Sequence, residues 1–242
     1  MKNIKILRLL PSIFLASSLL VLSGCDSNNY STDSPPPPPP VITTTDFSYE
    51  VLVTNLTSSQ PFSPVTLVSH GDMPLWTIGS SASAGLELIA ESGDNSEILD
   101  DEQILDGVTA GGILLPGMTE ILTITTTAED APFLSVLTML VNTNDAFSGK
   151  SVIDVSGLVI GDTMMMTAVS YDSGTEANSE AAGTMPGPAD GGEGFNSARD
   201  DVGFVSMHPG VVSMDDGLRT SVLSAEHKFD NPVMKITITR LQ

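Results

Sequence analysis

The stretch Asp46-Phe47-Ser48-Tyr49-Glu50-Val51-Leu52-Val53-Thr54 alternates along its length, with Phe47, Tyr49, Val51 and Val53 on one side and Ser48, Glu50, Leu52 and Thr54 on the other. Successive side chains of a strand point to opposite faces, so this pattern predicts a half-buried strand. Runs rich in β-branched residues recur downstream at Glu120–Thr127 (EILTITTT), Phe133–Val141 (FLSVLTMLV), Thr163–Tyr171 (TMMMTAVSY), Val202–Met207 (VGFVSM) and Val233–Leu241 (VMKITITRL), and each predicts a further strand. Between the early strands, Ser83–Ser92 (SAGLELIAES) predicts a short helix behind an N-terminal serine, with a continuation over Asn95–Ile104. Strands at intervals, joined by Gly- and Asp-rich connections, favour an antiparallel sandwich with short helical inserts over a βαβ fold. The composition agrees: 21 Gly and 16 Pro in 242 residues, with only 16 % charged residues, suit strands and turns better than long helices.

Upstream of residue 46 the character changes. Lys2, Lys5 and Arg8 precede an apolar stretch from Leu9 to Leu22, which is short for a membrane span and reads as a signal peptide over residues 1–24. It ends in Leu22-Ser23-Gly24-Cys25, which resembles the lipobox of bacterial lipoproteins. That resemblance implies cleavage before Cys25 and lipidation of its thiol. The expected location is then the bacterial cell envelope, with the membrane as partner through the lipid on Cys25. Residues 25–45 carry that cysteine and a polar stretch, then six consecutive prolines, Pro35 to Pro40. Proline runs hold an extended polyproline II geometry of about 3.1 Å per residue, so the segment is expected to be a semi-rigid stalk. The domain is expected over residues 46–242.

Charge narrows the partners. The chain has 9 basic and 30 acidic residues, a formal charge of −21; removing residues 1–24 takes away three basic side chains and no acid, leaving −24. Such a chain repels phosphate backbones and lacks a basic stripe, which excludes nucleic acid. The same charge favours a cation. Cys25 is the single cysteine, so stability is expected to come from the core or from a metal.

Signals for catalysis are weak. Gly-x-Ser-x-Gly, His-Glu-x-x-His and P-loop patterns are missing. His70, His208 and His227 are scattered, although a Ser–His–Asp arrangement assembled in space stays open. Met164, Met165 and Met166 cannot all face one copper ion from a strand, so they read as packing residues. Gly191–Asn196 half-matches a calcium nonapeptide, but one copy cannot build that stacked architecture. The long segment from Asp172 to Asp201 reads as a loop, functional or partly disordered.

Four segments in order resemble the spondin N-terminal domain found in matrix proteins and in bacterial exported proteins. They are Val68-Ser69-His70 with Leu75-Trp76, Ala82–Leu86 and Leu88–Gly93; Leu134–Leu140 leading to Asn144-Asp145-Ala146-Phe147; Tyr171-Asp172-Ser173-Gly174-Thr175-Glu176; and Asn231–Arg240. The chain departs from the animal domains in lacking their cysteines and in having Glu176 where they have Asp. The resemblance implies a C2-like antiparallel β-sandwich with calcium held by loops at one end, its ligands falling here on Asp145, Asp172 and Glu176.

The residues themselves are compatible with such a site. Asp145 and Asp172 each follow a strand, and Gly174 permits a turn that brings Glu176 back. Calcium takes six to eight oxygens at about 2.3–2.6 Å, so carbonyls, water and Asn142 or Asn144 are expected to complete the shell. The expected function is a lipid-anchored, calcium-binding module that binds a protein or glycan without catalysis. The rival is an envelope hydrolase.

Overall fold

The computed structural model describes residues 46–127 and 133–242. The expected signal peptide, Cys25 and the proline stalk lie outside the described residues. In chain order the elements are β1 (Asp46–Asn55), β2 (Thr66–His70), α1 (Ala84–Ser92), α2 (Ser96–Leu99), β3 (Ile104–Thr109), β4 (Thr119–Thr127), β5 (Phe133–Met139), β6 (Ala146–Asp154), β7 (Thr163–Ala168), β8 (Ser170–Asp172), β9 (Ser206–Met207) and β10 (Met234–Arg240). The strands form two sheets, ordered β4-β1-β10-β7 and β3-β2-β5-β6-β8-β9. Neighbours in both are antiparallel. The fold is all-β, with two short helices as inserts. Among the described residues no helix is long and apolar enough to cross a membrane.

The four-stranded sheet follows the period-two pattern because one of its faces meets the core. Tyr49, Val51 and Val53 of β1 are buried, as are Leu122 and Ile124 of β4 and Met234, Ile236 and Ile238 of β10. They join Leu67, Leu134 and Val136 from the six-stranded sheet in one apolar cluster. The register carries the alternation across the sheet: Val51 lies opposite both Ile238 and Leu122, while Leu52 lies opposite Thr237 and Ile121 on the outer face. Met164 and Met166 pack against the core and Met165 between them is 70 % exposed, as strand geometry requires of three successive residues.

The six-stranded sheet is covered on both faces. Its second face packs under α1 and α2, where Val68, Leu137 and Phe147 meet Leu86, Ile89 and Ile98. Every residue of β2 is buried. A strand buried on both sides loses the alternation that identifies a strand in sequence, so β2 and the first half of β6 stood outside the strands expected from the pattern; β3, an edge strand with no buried residue, carries no apolar face to mark it, and its first residue, Ile104, was expected as the end of the helical continuation. Helix α1 begins where Ser83 Oγ accepts the Leu86 N–H (3.2 Å) and ends at Gly93, whose left-handed backbone (φ +72°) returns its N–H to Ile89 O. The continuation expected over Asn95–Ile104 shrinks to one turn, α2.

Two expected strands differ from the pattern. Thr163–Tyr171 divides at Val169 into β7 and β8, which belong to different sheets. The crossing is held by Asn231 Oδ1, which accepts both the Ser170 N–H (2.7 Å) and the Ser170 hydroxyl (3.1 Å). Val202–Met207 contracts to the two residues of β9, because the preceding residues turn to close the long loop.

Ile236 and Met165 test the sidedness of the four-stranded sheet. Ile236→Ala is expected to cost about 2–5 kcal/mol by opening a core cavity, whereas Met165→Ala should stay within about 0.5 kcal/mol. Denaturant unfolding of both variants checks this, and similar losses would contradict the assigned faces.

Candidate metal centre

Register brings the first two acids together. In the β6–β8 pair, Ala146 lies opposite Asp172, so Asp145, just before β6, sits beside the residues that follow β8. The turn ahead of Asp145 is set by Thr143, whose hydroxyl donates to Leu140 O (2.6 Å) and accepts the Ala146 N–H (3.1 Å). Asp145 Oδ2 accepts three hydrogen bonds from the segment after β8: the Ser173 hydroxyl (2.8 Å), the Thr175 N–H (3.0 Å) and the Glu176 N–H (3.2 Å). Asp172 Oδ1 accepts the Gly174 N–H (2.8 Å), and its Oδ2 accepts from Asn178 Nδ2 (2.6 Å).

Gly174 makes the closure possible. It has φ +72°, and a Cβ there would run into the Phe204 backbone. Its carbonyl accepts the Gly203 N–H (2.8 Å), and Thr175 O accepts the Asp200 N–H (3.1 Å). The returning chain thereby places Asp201 against the pair. One oxygen from each of Asp145, Asp172 and Asp201 lies within 4.8 Å of the others; the first two residues are buried and Asp201 is partly exposed. The segment expected to be loop is irregular throughout but is tied down by these bonds.

Electrostatically the group lacks positive charge. Burial, followed by the charge of Asp172, pushes the Asp145 carboxyl up to about 7. Burial raises Asp172 as well, against the hydrogen bonds from Asn178 and Gly174. Asp201 is raised by burial and then by Asp172. Asp145 Oδ1 is buried with no hydrogen-bond partner. A hard cation among these oxygens would supply that partner and reverse the shifts.

Glu176 stands beside the trio rather than within it. Its Oε1 accepts from Asn144 Nδ2 (2.9 Å), and burial followed by the charges of Glu91, Asp145 and Glu193 pushes its carboxyl up to about 7. Asn142 and Asn144, expected as further ligands, are engaged elsewhere. Asn142 Nδ2 donates to Ser59 O (3.0 Å) and its Oδ1 accepts the Ala189 N–H (3.0 Å); Asn144 Oδ1 accepts the Glu180 N–H (3.2 Å). Asp201 escaped the sequence reading because only loop closure brings it here, and no spacing rule marks it.

The histidines occupy separate places. His70 Nδ1 faces Gly71 O (2.6 Å) and its Nε2 faces Ser135 Oγ (2.6 Å), which also accepts the Val152 N–H (3.1 Å). Both side chains are buried. His208 accepts the Gly210 N–H at Nδ1 (3.0 Å), so its proton sits on Nε2 and is donated to Asn178 Oδ1 (2.9 Å). That bond orients the Asn178 amide toward Asp172. Burial holds His208 down at about 4, so the ring is neutral. His227 caps a short turn through Ser224.

Asp145 gives the pH dependence its sign. A carboxyl whose pKa is raised on folding favours the folded state below its unfolded pKa of about 3.9 and loses that contribution as pH rises toward 7. In EDTA, Asp145→Asn is therefore expected to melt higher than the wild type at pH 8, with a smaller gain at pH 5. Thermal melts at the two pH values check this; a less stable variant at pH 8 would mean that three donors satisfy the buried charge.

No family model matches the chain and no curated protein matches it, so the chemistry of this acidic end carries the functional reading.

Proposed function

We propose that the protein is a lipid-anchored, calcium-binding β-sandwich module of the bacterial envelope, displayed on a proline stalk and binding a protein or glycan ligand without catalysis. The observation that carries the metal reading is the unpartnered Oδ1 of Asp145, buried beside Asp172 and Asp201. The donors are carboxylate oxygens, which suit a hard cation. Loop-borne oxygens tolerate the larger, irregular shell of calcium better than the tight octahedron of magnesium. The ion would lock the returning loop to the end of β6 and β8.

The resemblance of the sequence to spondin N-terminal domains supports the same reading, and adhesion is inferred from that resemblance alone. The anchor rests on Leu22-Ser23-Gly24-Cys25 after a basic and then apolar leader. Acyl chains at about 0.8 kcal/mol per buried methylene would hold the domain at a membrane. The hydrolase reading draws on the His70–Ser135 pair, whose hydroxyl is within hydrogen-bond reach of a ring nitrogen. Reproducible turnover of esterase, glycosidase or phosphatase substrates, lost in His70→Ala, would replace the binding reading.

Thermal melts of the full chain in EDTA and in calcium test the metal. Calcium at a hundredfold excess over Kd should stabilise the fold by about 2.7 kcal/mol, magnesium should do less, and Asp172→Asn should remove most of the gain. Equal midpoints with no calcium heat in titration calorimetry would leave Asp145, Asp172 and Asp201 as acids without a metal. Cys25→Ser should abolish membrane fractionation, and a mature protein without lipid on that residue would refute the anchor.

A further inference from the structure

Strand β7 ends the four-stranded sheet, which runs β4-β1-β10-β7. At its two ends Asp162 O accepts the Arg240 N–H and Ala168 O accepts the Val233 N–H (both 3.0 Å), so the even-numbered residues bond toward β10. An antiparallel strand turns the backbone groups of alternate residues to opposite sides. Those of Thr163, Met165 and Thr167 therefore face away from β10, where the sheet has no further strand. An open edge is a template for another chain, and proteins blunt such edges with charges, prolines, bulges or brevity. The other three edges follow that rule: β9 has two residues, β3 carries Asp106 and a register shift against β2, and β4 carries Glu120 on the side of Leu122 and Ile124. β7 reads Thr-Met-Met-Met-Thr-Ala, with no charge, no proline and an unbroken register against β10 from Thr163 to Ala168.

Exposed apolar surface is concentrated at the same place. Among the described residues the three most exposed large apolar side chains are Met165 (70 %), Ile160 (67 %) and Val159 (62 %), the last two in the turn that leads into β7. Met164 and Met166 pack on the core yet stay half-buried, because they sit at its margin.

The sequence of the strand selects the occupant. Thr163-Met164-Met165-Met166-Thr167 reads the same in both directions. Antiparallel pairing with a second copy, about a twofold axis at Met165, sets Thr163 against Thr167, Met164 against Met166 and Met165 against itself. The backbone groups that must bond in this register are those of Thr163, Met165 and Thr167, which already face outward; each opposing pair exchanges two N–H···O bonds. Side chains opposite one another share a face, so the methionines meet on both faces of the joined sheet. Asp162, the acid next to the strand, comes opposite Ala168, and like charges do not meet. A twofold contact of this kind uses one patch on both copies.

We propose that the protein forms a twofold dimer in which β7 pairs antiparallel with β7 of a second copy, carrying the four-stranded sheet from one chain into the other. The pairing is independent of the metal reading. Each chain has a formal charge of −21, so two copies repel at long range, and salt, by screening that repulsion, tightens the dimer.

Sedimentation equilibrium of the full chain in a density-matched detergent, at up to about 100 μM, reads the mass directly. Twice the chain mass is expected for the wild type, reached at lower concentration as salt is raised. Met165→Lys, at an exposed position, is expected at the single-chain mass because two like charges would face each other across the axis. Met165→Cys tests the register, made together with Cys25→Ser so that it holds the only thiol. Opposed residues of a hydrogen-bonded pair have Cα atoms about 5.5 Å apart, within disulfide range, so mild oxidation should double its mass on a non-reducing gel. Thr125→Cys in the same background, exposed on β4, should stay single. A single-chain mass for the wild type would overturn the dimer and leave β7 to a strand of another protein. A dimer that persists in Met165→Lys, that salt dissociates, or that Met165→Cys does not cross-link would also overturn the proposal by placing the contact elsewhere. The wild-type mass and the cross-link decide the matter even if Met165→Lys fails to fold.

Discussion

The end of the sandwich is organised around one buried carboxylate. Taking a carboxylate out of water costs several kcal/mol even after relaxation, and Asp145 recovers part of that cost through a single oxygen. Three donors from Ser173, Thr175 and Glu176 converge on Oδ2. To deliver them, the chain leaving β8 must wind tightly around the carboxylate, and this sets the turn at Gly174, the return of residues 200–203 and the arrival of Asp201. The other oxygen is buried without a donor.

That winding is possible because the two sheets are covered differently. The four-stranded sheet exposes its outer face, whereas the six-stranded sheet is sealed by α1 and α2 on the face away from the core. Helix α1 thus lies near the loops that follow β8, and its charged residues join them. Glu87 pairs with Arg199 and Glu91 accepts the Asn196 N–H, so the long loop is fastened to the helix at two points. The ring cluster of Trp76, Phe147 and Tyr171, with centroids 5.2–5.7 Å apart, packs on the same side.

Long irregular segments in a chain with one cysteine need another means of cohesion, and buried polar side chains provide it. Asn55 Nδ2 donates to Gln60 O and Leu114 O, which also removes this nitrogen of an Asn-Leu-Thr triplet from solvent. Glu180 accepts the Val212 and Ser213 N–H groups and the Ser221 hydroxyl, joining three stretches of loop. Glu180 lies outside the aspartate trio, and these bonds make it a brace for the loops. Such networks are stable when every donor finds its acceptor, and the unpartnered oxygens at the acidic end are conspicuous against that background.

By itself the sequence determined what depends on neighbours along the chain. One-sided burial prints a period of two, so β1, β4 and β10 and their inward residues were legible; Ser83 and Gly93 marked the ends of α1 through local capping chemistry. Asp145 and Asp172 were legible as acids at strand ends, helped by the resemblance of their surroundings. Tertiary structure decided whatever depends on approach between distant segments. β2 and β6 carry no alternation because two different layers cover their faces, and Thr163–Tyr171 divides because Asn231, some sixty residues on, holds the crossing. Asp201 joins Asp145 and Asp172 only when Gly203 bonds to Gly174, and Glu91 meets the Asn196 N–H only when a helix packs over the sheet that carries the loop. Hydrogen-bond closure and two-sided burial act through space, and a linear pattern records neither.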